Sequence, residues 1–107
     1  MDIDSNFSEI DPVAAKIKEL MAAKLGAETQ IASCQQMLEN ARKQLSDLRV
    51  ATRVPENEEY LKASRKAWQA SVKAYKASIV AFRYDIASYD EQIAAILAST
   101  PQARPDN

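Results

Sequence analysis

Apolar residues recur along the first half of the chain at alternating steps of four and three: Val13, Ile17, Leu20, Ala27, Ile31, Cys34, Leu38, Ala41, Leu45 and Leu48, with Lys24 the single polar interruption. Such steps keep side chains on one face of an α-helix, and their seven-residue period is that of a coiled-coil seam. Asp11-Pro12 is a suitable start, because Asp can accept from the free amides of a first turn and Pro loses no hydrogen bond at the first helical position. The pattern predicts a helix over residues 12–52. Lys24, at a core position, reads as a register device whose ammonium snorkels outward.

The pattern breaks at "TRVPENEE", where Pro55 cannot continue a preceding helix without a lost hydrogen bond and a clash. Asn57 is placed to cap a second helix, and Glu58 and Glu59 then lie at the positive end of its dipole. Beyond the break two rows share the seven-residue period: Leu61, Trp68, Tyr75, Phe82, Tyr89 and Ile96 form one, and Val72, Ile79, Ile86 and Ile93 the other. They predict a second helix over residues 58–98, rich in rings, after a turn at 53–57. A connection this short makes the helices antiparallel. Facing layers then pair Leu45 with Trp68, Ala41 with Val72, Cys34 with Ile79 and Lys24 with Tyr89. Shifting by one heptad would set Lys24 against Phe82, where an ammonium meets no oxygen. The fold class expected is all-α: an antiparallel two-helix coiled-coil hairpin over 12–98, able to pair further into a helical bundle. Residues 1–11 are expected to form a disordered acidic segment and 99–107 a disordered tail.

Composition narrows the chemistry. The 107 residues include one glycine and no histidine. Lacking histidine, the chain has neither the usual proton-transfer group near neutral pH nor the commonest metal ligand. A lone Gly26 cannot build a phosphate-cradling loop. Cys34 lies in the apolar seam and reads as a small core residue; a single cysteine makes no internal disulfide. No catalytic, cofactor-binding or metal site is therefore expected, and the chain is read as a non-enzyme. Met1 to Asp11 is acidic, without the basic and apolar regions of a secretory signal, and no apolar run is long enough to span a bilayer, so a cytoplasmic protein without a membrane partner is expected.

A second period runs through the segment from Lys62 to Tyr84, which has six Lys or Arg and no acid. Ala63, Ala67, Ala70, Ala74, Ala77 and Ala81 keep their own four-three spacing out of phase with the core, and Tyr60 and Tyr84 extend the row at both ends. Alanine is a strong helix former, but propensity alone imposes no period. Small side chains let another backbone approach, and tyrosines are favoured anchors at interfaces. Tyr60, Ala63, Lys66, Ala67, Ala70, Lys73, Ala74, Ala77, Ala81 and Tyr84 are accordingly the candidate partner-binding residues.

Charge is segregated along the hairpin. Residues 42–76, nearest the turn, hold nine Lys or Arg against four acids, whereas residues 1–30 and 85–107 together hold four against ten. Such polarity orients a partner electrostatically. The function expected is that of a helical interaction protein, such as an adaptor, an assembly or secretion chaperone or a small inhibitor, docking a partner protein with an acidic surface. Two alternatives stand beside it: nucleic-acid binding through the basic half, weakened by the acids within it, and a structural homodimer or larger homo-oligomer.

Overall fold

The computed structural model describes residues 11–99, and the remainder of the two flanking segments expected to be disordered lies outside the described residues. Helix α1 spans Pro12–Val50, a single 3-10 turn spans Pro55–Asn57, and helix α2 spans Glu58–Ser99. The two helices pack along their length as an all-α antiparallel hairpin. At a rise of about 1.5 Å per residue each arm is roughly 60 Å long.

Local chemistry accounts for each end. Asp11 Oδ1 accepts from the Val13 amide at 2.9 Å, and Pro12 occupies the first turn. Asp11 thus belongs to the hairpin as its cap, and Ser99 belongs to α2. At the other end α1 stops at Val50, two residues short of the predicted Thr52, because the reversal needs extended backbone there. Ala51 has φ −67° and ψ 139°. Val54 is extended too, at φ −131° and ψ 155°, as a residue before proline should be.

Asn57 differs in detail from the sequence expectation. Its carboxamide turns back on the connection, accepting from the Val54 amide at 3.1 Å and donating to the Thr52 carbonyl at 3.2 Å. The Asn57 amide also donates to the Val54 carbonyl at 3.0 Å. These bonds satisfy backbone groups on both sides of Pro55 and make the turn a fixed spacer.

The seam carries the packing. Leu20, Ala27, Leu38 and Ala41 of α1 and Leu61 and Ile79 of α2 are buried, and Ala41 is 0% exposed. Every other seam residue named above is half-buried, including Trp68, Tyr75, Phe82 and Tyr89. Two helices meet along a line, so a ring on one can cover only the side it presents to the other. Small residues at Ala27, Cys34 and Ala41 of α1 make room for the larger side chains of α2, the interdigitation that close packing requires.

Two stability changes follow. Trp68→Ala is expected to destabilise the hairpin by about 2–3 kcal/mol, less than the ~3–5 of an enclosed ring, because the indole is half-buried. An unchanged urea midpoint would remove Trp68 from the seam. Gly26 is exposed and helical without positive φ, and a Cβ built there meets nothing within 4 Å. Gly26→Ala should therefore stabilise by about 0.5–1 kcal/mol, read as a higher melting temperature.

Candidate interaction surface

Once α2 turns its two apolar rows toward α1, the residues halfway round the helix face outward. All ten candidate binding residues are exposed, from Tyr60 through the alanines to Tyr84. Tyr60 is 69% exposed and Tyr84 74%, unusually high for such large side chains. The geometry is a flat alanine track with a tyrosine at each end and Lys66 and Lys73 along one side. The back of α1 is different, with Glu19, Gly26, Ser33, Asn40 and Asp47 exposed or half-buried at matching positions.

Lys24 defines the register. Its Nζ lies 2.9 Å from Asp90 Oδ1, joining α1 to α2 next to the Tyr89 layer. A shift of one heptad that set Lys24 against Phe82 would carry Asp90 about 10 Å along α2 and break the ion pair. Sequence reasoning placed the layer but missed Asp90. The signal was present, since Asp90 is the acidic residue one position beyond Tyr89. The hydrogen bond from Lys24 to Asp90, and then the carboxylate's charge, hold the ammonium's pKa above the ordinary lysine value of 10.5 against a smaller opposing effect of burial; Glu28 adds to the rise.

One flank of the hairpin, between the seam and the back face, was not singled out by sequence reasoning. On α1 it carries Lys18, Met21, Leu25, Glu28, Ala32, Gln35, Glu39 and Arg42, again spaced by three and four. Lys76, Val80, Arg83, Ala87, Asp90, Ala94 and Leu97 border it from α2. Two open grooves lie along it. The one nearer the turn, of about 550 Å³, has buried Leu38 and Ile79 at its floor and Arg42, Lys76 and Arg83 around it. The other, of about 680 Å³, is lined by Met21, Leu25 and Ile93 among others. The stripe mixes apolar, cationic and acidic residues, so a hydrophobic pattern alone does not reveal it.

Among the described residues no set of three or more His, Cys, Asp or Glu is grouped to hold a metal ion, and no helix is long and apolar enough to cross a membrane. Cys34 is a free, half-buried thiol. No protein-family model, curated protein or solved structure matches the chain.

The Lys24 to Asp90 pair makes a signed prediction. Because the folded pKa of Lys24 is raised, the ammonium's contribution is complete below the unfolded value and is lost as pH rises through the folded one. A double-mutant cycle of Lys24→Met and Asp90→Asn, followed by urea unfolding, should show favourable coupling at neutral pH that is lost as pH rises through the raised pKa of folded Lys24. Coupling that persists in strong alkali would mean that the ion pair is not its source.

Proposed function

We propose that this chain is a non-enzymatic interaction protein, an adaptor, assembly or secretion chaperone or small inhibitor, that docks a cytoplasmic partner of acidic character on the back face of α2. The observation that carries the reading is the joint exposure of Tyr60, Tyr84 and the six alanines between them as one unbroken track. A helix or flat surface laid on that track gains close backbone approach along the alanines and an aromatic anchor at either end. Lys66 and Lys73 border it, and the six cations from Lys62 to Arg83 favour an acidic approach.

The same charge argues against symmetric self-pairing through this face. Two copies laid antiparallel would match Tyr60 with Tyr84 and Ala63 with Ala81, but would bring two all-cationic segments alongside each other. Like charges at an interface select against that pairing. Nucleic acid is the weaker alternative, because Asp47, Glu56, Glu58 and Glu59 interrupt the basic half and break any continuous phosphate track.

The test compares partner capture from cells by tagged wild type, by Ala70→Glu at the centre of the track, and by Gln36→Glu on the exposed back of α1. A specific partner should be held by wild type and by Gln36→Glu, lost by Ala70→Glu, and released as salt is raised, since exposed charges are screened over about 8–10 Å at ordinary ionic strength. A symmetric dimer that tightens with salt and is abolished by Ala70→Glu would overturn the reading.

A further inference from the structure

The cations of the groove nearer the turn are left without ion pairs. Flanking positions of a coiled coil commonly bear opposite charges that attract across the seam. Here Arg42 of α1 and Lys76 and Arg83 of α2 line a single groove, with Glu39 the sole acid beside them. The ion pairs among the described residues are Lys16 with Glu19, Lys24 with Asp90 and Lys43 with Asp47, and none of the groove cations takes part. Three exposed, unpaired positive groups therefore surround an apolar floor of Leu38 and Ile79, and Val80 at the rim is 50% exposed. Exposed cations without an ion pair, beside Val80 that the fold leaves half exposed, are the complement of a ligand carrying both carboxylates and hydrophobic side chains.

The flank also fixes the ligand's shape. Toward the chain ends the second groove continues the same stripe, with Met21 58% and Leu25 63% exposed. Its charges balance, Lys18 and Lys24 against Glu28 and Asp90, so it offers chiefly apolar contact. From Arg42 to Lys18 along α1 is about 36 Å at 1.5 Å per residue. A straight track of that length, bordered by a helix on each side, suits a third helix of about 24 residues. Nucleic acid suits it less well, because a phosphate backbone has no use for an apolar floor and Glu39 and Glu28 stand in its path.

We infer that this flank is a binding groove for an acidic amphipathic helix of a partner protein, whose carboxylates lie over Arg42, Lys76 and Arg83 and whose apolar face covers Val80, Met21 and Leu25. Bound there, the helix converts the hairpin into a three-helix bundle. The inference shares with the proposed function the acidic character of the partner and the cations Lys76 and Arg83, and its residues lie outside the alanine track.

The probe is a fluorescein-labelled synthetic helix of about 24 residues with a leucine seam and glutamates elsewhere, matched by a peptide with lysines in place of the glutamates. Fluorescence anisotropy should show wild type binding the acidic peptide and not the basic one, with affinity falling about tenfold or more between about 0.05 and 0.5 M salt. The combination of Arg42→Gln, Lys76→Gln and Arg83→Gln should weaken binding about tenfold or more, while its melting temperature stays close to that of wild type because the three side chains are exposed and form no ion pair. Val80→Glu should also block binding, and Glu39→Gln should strengthen it. Ala70→Glu, which the proposed function requires to lose its partner, should leave peptide affinity within about twofold, so either reading can fail alone. Three results would each overturn the inference: equal affinity for the neutralised variant, capture of a single-stranded oligonucleotide but not the peptide, or a low-salt dimer dissolved by the neutralising changes, which would assign the groove to a second copy.

Discussion

The short connection between the helices is the constraint on which the rest of this structure depends. Val54 and Pro55 leave the chain no helical path, and Asn57 bonds to Val54 and Thr52 so that the reversal has one geometry. A fixed reversal sets which residue of α2 stands level with each residue of α1. The Lys24 to Asp90 ion pair secures the same register near the opposite end. Two clamps bracketing a repetitive seam matter more than they would in a globular core. Apolar heptads resemble their own copies one repeat away, so hydrophobic burial alone discriminates weakly between registers. A polar residue in the seam discriminates strongly, because only one register offers its charge a partner.

The architecture was legible in the sequence because it is encoded by period. The residues from Val13 to Leu48 and the two rows from Leu61 to Ile96 all turn inward, and the alanine track, read from a second period in another phase, turns outward. What escaped sequence reasoning depends on contacts between elements. Asp90 is one acid among several on α2 until the register brings it to Lys24. Asn57 has the residue type of a helix cap, and only the path of residues 51–54 shows that nearer backbone groups claim its carboxamide. The flank groove was harder still. Its apolar floor belongs to the seam, its cations belong to both helices, and neither half of the pattern is a site without the other.

A two-helix hairpin has a high ratio of surface to core. The rings of Trp68, Tyr75, Phe82 and Tyr89 are covered only in part, and six residues in all are buried among those described. Small folds bury a smaller share of their surface than large ones and are correspondingly marginal. Tyr60, Tyr84, Met21 and Leu25 add exposed apolar area in two separate places, the back of α2 and the flank. Apolar area exposed in this way is surface that contact with another molecule can bury.

Charge segregation gives that contact a direction. The turn end of the hairpin is basic and the chain ends are acidic, so a partner with an acidic face is drawn to the turn end and repelled from the other. The alanine track and the cationic groove lie toward that same end, on adjacent sides of α2, with Lys66 and Lys73 on the ridge between them. One acidic partner with two elements could straddle this ridge, or two partners could compete for its field. In either case the energetics couple: a ligand that binds only the folded hairpin stabilises it by an amount set by its concentration relative to its dissociation constant. A partner held on either surface would therefore add to the stability of the folded hairpin.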